Sequence, residues 1–281
     1  MKAVTKYPGS KWKIAKWIVS NFPEHHSYLE PFFGSGAVLF NKPRSNIETV
    51  NDLDENVVNL FEWIKKDPER LAHEIYFTPY ARQVYEDAFA AVTEDSLEKA
   101  VNFYIRLNMG HGFRTTGEKV GWKNDVQGRE RAYAAVDWRN LPEKIIQAAE
   151  RLRGVQIENR PAIEVMRRFN NKKVLIYLDP PYMPDVRHGK QYRCEMYDKE
   201  SHADLLNVAK AHKGPVLISG YDSELYNDLL KDWYRKETIC YSQVASKKKE
   251  VLWMNFRPEG QINMSDFLRG DGLGLLEQHQ S

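Results

Sequence analysis

The chain lacks the features that would assign it at once to a metalloprotein, a disulfide-rich protein or a membrane protein. It has 2 cysteines in 281 residues, Cys194 and Cys240, too few for a disulfide framework or a metal-ligand cluster. No apolar run is long enough to cross a membrane. We therefore expect reduced thiols in a cytosol, no metal, no membrane partner and no obligate protein partner.

The sequence also lacks an excess of charge of one sign. Its 41 basic and 39 acidic residues leave a formal net charge of +2. Overall charge therefore gives no reason to expect a nucleic-acid partner, and any such argument must depend on local clusters. Aromatic residues make up 12% of a chain long enough to bury a substantial core.

A third absence concerns the glycine loop Gly34-Ser35-Gly36, which follows a predicted strand at Ser27–Glu30 and is expected to open a helix. A dinucleotide fingerprint requires a third glycine, but Leu39 stands at that position. No Gly-Lys-Ser/Thr follows, so the loop is not a Walker motif either. The loop lets a ligand approach the backbone closely, but it lacks the residues of a phosphate-binding motif.

An acid follows the next predicted strand, Ile47–Asn51. Asp52 is placed to hold ribose hydroxyls, whereas Asp54 is predicted to cap the helix that comes next. The loop and the acid together predict an adenosine-like cofactor without a pyrophosphate. S-adenosylmethionine meets that description, since it carries ribose and adenine and also an electrophilic methyl group.

The most informative segment is the apolar run Val174–Leu178, which ends on Asp179-Pro180-Pro181-Tyr182. A short run that is apolar at every position favours a strand buried on both faces of a parallel sheet. Asp179 and the Pro180 carbonyl offer two acceptors, which suit the two hydrogens of an exocyclic amine, and Tyr182 can stack on the ring that bears it. The tetrad therefore predicts nucleophilic substitution by the amine of a base.

The coarse pattern predicts an α/β protein with a Rossmann-like methyltransferase sheet, a closing antiparallel hairpin and a helical insert. Further strands are predicted at Val155–Glu158 and Pro215–Ser219, and the hairpin at 237–244 and 250–256, with Lys247–Lys249 at its turn. Helices are predicted over 11–20, 55–66, 80–92, 96–109 and 140–153, and another begins at Ser201 with a capping box to Asp204. The predicted domains are a catalytic domain at 1–68 and 151–257, a helical insert at 69–150, and a flexible tail at 258–281.

Joined in this order, the motifs resemble the Dam-like family of adenine-specific DNA methyltransferases. The matching segments are Lys6–Lys11, Glu30–Gly36, Asn51-Asp52, Asp179–Tyr182, Ser219–Asp222 and Glu250–Phe256. The resemblance implies S-adenosylmethionine contacts at Tyr7, Lys11, Asp52 and Asp179, with Phe32 and the loop Gly34, Ser35 and Gly36 lining the pocket. Two positions depart from the family pattern: Asp54 stands where many relatives carry Asn, and Pro161 where many carry an acid.

The resemblance implies methyl transfer to the amine of an adenine flipped out of double-stranded DNA, with Asp179, Pro180, Pro181 and Tyr182 as the catalytic segment. It also implies that the insert at 69–150 is the target-recognition part, and that the enzyme acts in the cytosol of a bacterium or of a phage-infected host. Local clusters of basic and aromatic residues supply the DNA contacts in this interpretation. Predicted DNA-binding residues are Arg106, Arg114, Lys119, Lys123 and Arg129 in the insert, and Arg187, Lys190 and Tyr197 after the tetrad.

Three alternatives remain open at this point. One is a nucleotide-dependent oxidoreductase that uses the glycine loop, and another is a DNA-binding regulator with a vestigial pocket. The third methylates RNA or the amine of cytosine, because the geometry of the amine is similar. The target sequence is also open, as is whether the enzyme pairs with a restriction endonuclease, protects a phage or acts alone.

Overall fold

The computed structural model describes residues 3–124, 133–183, 192–194, 196, 198–241 and 247–258. Within those residues, seven strands form one sheet in the order β3-β2-β1-β4-β5-β7-β6. The strands are β1 Ser27–Glu30, β2 Ile47–Asn51, β3 Val155–Glu158, β4 Val174–Leu178, β5 Val216–Gly220, β6 Tyr234–Tyr241 and β7 Lys247–Met254. Strands β1 to β5 pair in parallel and β7 runs antiparallel to both neighbours. The predicted Rossmann-like sheet with its antiparallel hairpin is confirmed.

The strand order reverses between β1 and β4. From β1 the chain proceeds through β2 to β3 on one side, and from β4 to β5 on the other. The carboxyl ends of β1 and β4 therefore lie where the strand order reverses. Open α/β sheets bind their ligands at such a switch point.

Strand β4 lies in the middle of the sheet, and all five of its residues are buried. Its register aligns Leu29 of β1 with Ile176, and Ile218 of β5 with Leu178. Apolar groups cover both faces of the strand, which explains why its sequence shows no alternation. Asp179 follows directly at the carboxyl end.

Ten helices surround this sheet in the described part of the chain. They are α1 Ala15–Val19, α2 Glu55–Lys66, α3 Pro68–Phe77, α4 Arg82–Ala90, α5 Ser96–Met109, α6 Ala134–Arg139, α7 Leu141–Leu152, α8 Ala162–Arg168, α9 Lys199–Lys210 and α10 Glu224–Leu229. Helix α2 shows why they form where they do. The Asp54 side chain caps its first turn by accepting from the Asn56 N–H, and Val57, Phe61 and Ile64 recur on its buried face.

Helices α3 to α7 lie between β2 and β3 in the sequence. Helix α5 packs against α2 and α4, and α7 packs against α2 and α3, so the inserted helices continue the apolar core on one side of the sheet. No helix among the described residues is both long and apolar enough to span a bilayer.

Several local predictions are wrong. The helix expected over 11–20 is reduced to α1, and both hairpin strands begin three residues earlier than predicted. The glycine loop leads into a single 3-10 turn at Leu39–Asn41 instead of a helix. Helix α9 begins at Lys199 and is capped by Asp198, which accepts from the Ser201 N–H, so Ser201 lies inside the helix. Lys247–Lys249 belong to strand β7 and not to the hairpin turn. The predicted tail from residue 259 onward lies outside the described residues.

Candidate active site

A cavity of about 310 Å³ opens at the carboxyl edge of the sheet. Its wall includes Glu30 at the end of β1, Asn51 at the end of β2 and Tyr177 in β4. This volume lies in the usual range for small-molecule pockets. Of the residues predicted to bind the cofactor, the wall contains Tyr7, Lys11, Phe32, Gly34, Ser35, Asp52 and Asp179.

The glycine loop shapes one side of the cavity through two residues with positive φ. A Cβ at Gly34 (φ 50°) would come within 2.9 Å of the Tyr7 ring, so Tyr7 packs directly on the loop. Gly36 (φ 67°) has a different role, because a Cβ there would come within 2.6 Å of the Phe33 ring. Gly36 thus allows close packing behind the cavity wall and does not line the cavity itself.

Asp52 is fixed by backbone groups on both sides. One carboxylate oxygen accepts from the Gly34 N–H at 2.8 Å, and the other accepts from the Asp54 N–H at 2.9 Å. Burial nevertheless raises the pKa of Asp52 to about 6, and these N–H donors only partly oppose it. The carboxyl group is therefore held rigidly at the edge of the cavity and titrates below neutral pH.

Asp54 is the helix cap, as predicted, and it also reaches the cavity wall. The residue is 2% exposed. Its Oδ1 accepts from Asn56, but its Oδ2 is buried and has no hydrogen-bond partner among the described residues. A buried acceptor of this kind calls for a donor, which a ligand in the cavity would provide.

Lys11 lies inside the site, where its side chain is 7% exposed. Its ammonium group is 2.9 Å from the Asp179 carboxylate and 3.6 Å from that of Glu250, and it donates to the Gly9 carbonyl at 2.7 Å. Burial alone would lower the pKa of Lys11, but the charges of Asp179 and Glu250 outweigh burial and raise it. Lys11 therefore stays protonated throughout the physiological range.

The tetrad residues converge on that ammonium group. Asp179 Oδ1 accepts from the Ser219 hydroxyl at 3.0 Å, and the Tyr182 oxygen lies 3.3 Å from it. The ring of Tyr182 lies 4.7 Å from the Lys11 nitrogen, and Tyr221 packs against it at 4.5 Å between centroids. Pro180 is buried and Pro181 lines the cavity. The acid and the ring are thus held by contacts from other parts of the chain, including the N-terminal segment at Lys11 and the end of β5 at Ser219 and Tyr221.

Two functional candidates, Glu250 and Glu30, were not predicted. Glu250 in β7 is 2% exposed and accepts a short hydrogen bond from the Tyr182 hydroxyl. Glu30 accepts from the Tyr28 hydroxyl at 2.8 Å, and burial raises its pKa to about 8. The sequence carried a signal for both, since each is a single acid in or at the end of a run of buried strand residues, where a carboxylate is costly.

The segment after the tetrad also contributes to the wall of this cavity. The Tyr192 ring lies 6.0 Å from that of Tyr7, and its hydroxyl donates to the Pro8 carbonyl. The Arg193 N–H donates to the Thr115 hydroxyl of the insert, and its guanidinium pairs with Glu55 at 2.9 Å. The insert and the tetrad loop therefore meet at the cavity.

The predicted DNA-binding residues fall into three groups. Arg114 and Lys119 are exposed and pair with Glu118 and Glu86. Arg106 packs against the rings of Phe89 and Phe103, and Lys123 donates to the Asn108 carbonyl, so both are held against the protein. Four others lie outside the described residues: Arg129, Arg187, Lys190 and Tyr197.

Comparison with known proteins identifies the family. The family model for D12 class N6 adenine-specific DNA methyltransferases matches residues 7–247. The chain is 24% identical to a DNA adenine methylase of Vibrio cholerae over 79% of this chain and 82% of the relative. It is 25% identical to a DNA adenine methylase of Salmonella typhi, over 92% and 96%, and 23% identical to the type II methyltransferase M.MjaIII of Methanocaldococcus jannaschii, over 91% and 99%.

The family match covers the cavity, the insert and the tetrad together, and it excludes the oxidoreductase interpretation. The resemblance inferred from the motifs is confirmed. The chain belongs to the D12 class of N6 adenine-specific DNA methyltransferases.

Proposed function

We propose that the cavity binds S-adenosylmethionine and that the tetrad edge receives an adenine rotated out of double-stranded DNA. The observation that carries this proposal is the position of Asp179. It ends the central strand at the switch point of the sheet and shares the cavity wall with the glycine loop and Asp52. An acceptor for a base amine and a pocket for an adenosine-containing donor thus meet in one place.

The residues of the cavity fit S-adenosylmethionine. Asp52 and the unpartnered Oδ2 of Asp54 are acceptors for ribose hydroxyls or the adenine amine of the cofactor. Phe32, Pro161 and Ile163 give the wall an apolar part that suits a purine. Lys11 provides the positive charge that suits a carboxylate of the methionine end. Tyr7 closes the wall over the glycine loop.

In the proposed mechanism the bound cofactor supplies an electrophilic methyl group. Asp179 and the Pro180 carbonyl accept the two hydrogens of the adenine amine and direct its lone pair toward that methyl group. Tyr182 contacts the extruded ring, on the side away from Lys11. Much of the acceleration comes from holding nitrogen and methyl at attack distance, and the rest from acceptors facing the positive charge that grows on the amine.

The helical insert is the proposed target-recognition part of the enzyme. Arg114 and Lys119 are exposed, and each would exchange its glutamate partner for a DNA phosphate. Thr115, which lies next to Arg114 in the insert, accepts a hydrogen bond from the backbone N–H of Arg193 in the segment after the tetrad. DNA bound to the insert would therefore lie next to the cavity, where a flipped base has to enter.

Replacement of Asp179 tests this assignment. We expect Asp179→Ala to lose methyl transfer from labelled S-adenosylmethionine to DNA by a factor of about 1,000 or more, because the amine loses an acceptor and its orientation. Asp232→Ala is the matched control, since Asp232 lies exposed in the turn before β6. A folded Asp179→Ala protein with the turnover of the control would contradict the proposal.

A further inference from the structure

Glu250 occupies a position where an acid is out of place. Along β7, Glu250 lies on the same face as Leu252 and Met254, both of which are fully buried in the core. Its own side chain is 3% exposed. An ionised carboxylate at such a position is costly unless it is paired, so a purely structural role would be filled better by an apolar residue.

The carboxylate of Glu250 touches two parts of the proposed catalytic machinery. It accepts from the Tyr182 hydroxyl, and it lies 3.6 Å from the Lys11 ammonium. Lys11 therefore stands between two acids, since Asp179 is 2.9 Å away on another side. Burial raises the pKa of Glu250, the charge of Lys11 opposes that rise, and the nearby Asp179 adds to it.

This arrangement answers a difficulty in the proposed reaction. Asp179 Oδ1 is engaged by Lys11, yet the same carboxylate has to accept a hydrogen of the adenine amine. If Asp179 turned away from Lys11, the buried ammonium would lose its nearest counter-ion. Without a second acid nearby it would depend on the cofactor carboxylate alone, and an incompletely paired buried charge is unfavourable. Glu250 is that second acid, already within ion-pair distance.

We propose that Glu250 is a positioning residue for methyl transfer: it holds the Lys11 ammonium and the Tyr182 hydroxyl while Asp179 engages the amine of the target base. The inference depends on the proposed function, because it presupposes that Asp179 accepts from the amine. It assigns to Glu250 no contact with the base or the methyl group.

The test is Glu250→Gln, which keeps the size of the side chain and an acceptor for Tyr182 but removes the charge that holds Lys11. We expect the single-turnover rate of DNA methylation to fall about tenfold or more, while the Kd values for S-adenosylmethionine and DNA change less than about threefold. Glu250→Asp restores the charge at shorter reach and should recover part of the rate. Glu237→Gln on the paired strand β6 is the control, because Glu237 forms ion pairs with Arg235 and Lys249 away from the tetrad.

A Glu250→Gln protein that methylates at the rate of the control would overturn the inference, as would equal losses in binding and in rate. If Glu250→Gln does not fold, Glu250→Asp decides, and an unchanged rate for it counts against the inference. Failure of the proposed function gives a different result, since the Asp179→Ala protein would then remain active. If Asp179→Ala is inactive but Glu250→Gln is fully active, the inference about Glu250 is wrong and the proposed function stands.

Discussion

At the scale of single residues, the site is defined by ionisable groups that the fold has removed from water. Lys11, Asp52, Glu30 and Glu250 are all held by specific partners at the carboxyl edge of the sheet. Motifs located Lys11 and Asp52 in the sequence, because a loop or a strand end marked them. Glu30 and Glu250 open two of the segments that match the family, but the sequence assigned neither acid a role. Only the paired strands and the Tyr28 and Tyr182 hydroxyls reveal their surroundings.

The raised pKa of Asp52 predicts a pH dependence of cofactor binding. Burial places this pKa at about 6, so the carboxyl is ionised at neutral pH and becomes protonated as the pH falls through that value. A protonated group accepts weaker hydrogen bonds from ribose hydroxyls, so the affinity for S-adenosylmethionine should decrease between about pH 7 and pH 5. Calorimetric titration of the wild type measures this directly.

Asp52→Asn is the matching variant. It should bind the cofactor roughly tenfold more weakly at neutral pH, the equivalent of one charge-assisted hydrogen bond, and its affinity should be flat across the same range. A wild-type affinity that does not change below neutral pH would show that Asp52 does not hold the cofactor as an ionised acceptor.

The raised pKa of Glu30 predicts that the stability of the folded protein decreases as the pH rises. Burial raises its pKa from 4.5 to about 8, so the folded protein keeps a proton that the unfolded chain loses. The stability that this difference provides is fully present below about pH 4.5 and declines as the pH rises toward 8. Glu30→Gln is neutral at every pH and keeps an acceptor for Tyr28.

We therefore expect Glu30→Gln to have a higher Tm than the wild type at about pH 8 and a similar Tm at about pH 5, measured without cofactor. Glu24→Gln, at an exposed position before β1, is the control and should follow the wild type at both values. If Glu30→Gln lowers the Tm equally at both, the carboxyl is ionised in the folded protein and the assignment of its proton is wrong.

At the scale of elements, the strands were the most predictable part of the fold. The predicted bounds of β1 to β4 agree with those observed. Strand β4 is the clearest case, since its five-residue apolar run ends on Asp179 and Pro180. Helix α2 was also predicted correctly, since Asp54 and the buried repeat Val57, Phe61 and Ile64 agree on its position. The start of α9 was misplaced because Asp198, and not Ser201, satisfies its first turn.

The helix expected after the glycine loop does not form, and the reason is a packing contact that the sequence does not reveal. Gly36 has positive φ and lies against the rings of Phe33 and Phe40, so the chain turns tightly there and its aromatic side chains enter the core. A single 3-10 turn then leads toward β2. The spacing Gly-x-Gly does not distinguish this turn from the start of a helix.

Substitution of Gly36 tests that reading of the loop. Gly36→Ala combines an unfavourable φ with a clash against Phe33, so it should destabilise the protein by more than about 1 kcal/mol in urea denaturation. Gly154→Ala is the control, because Gly154 also has positive φ (81°) but has open space where a Cβ would stand. Equal losses for the two variants would mean that φ alone matters and that the Phe33 contact can relax.

At the scale of the whole molecule, the enzyme combines a sheet that has a cavity at its carboxyl edge with an inserted group of helices. The order of the motifs predicted the sheet, and the family match confirms the class of reaction. The roles of basic residues in the insert were harder to predict, because charge alone does not distinguish Arg114 at the surface from Arg106 packed on phenylalanine rings. The two arginines differ in how far their side chains are buried, and burial cannot be read directly from the sequence.

Salt dependence of DNA binding tests the proposed role of the insert. If Arg114 and Lys119 contact phosphates, the affinity for duplex DNA should fall steeply with salt, and Arg114→Gln or Lys119→Gln should each reduce the slope of log K against log salt by about 1. Lys172→Gln is the control, since Lys172 precedes β4 at the amino edge of the sheet, away from the cavity. If both variants keep the wild-type slope, Arg114 and Lys119 do not contact DNA phosphates.

The measurement that tests the account most directly is the identity of the methylated base. Duplex DNA is treated with the purified protein and labelled S-adenosylmethionine, digested to nucleosides and separated, with single-stranded DNA and RNA run alongside. The site described here predicts label in N6-methyladenine from duplex DNA and its loss with Asp179→Ala. Label in N4-methylcytosine, or in RNA alone, would contradict it.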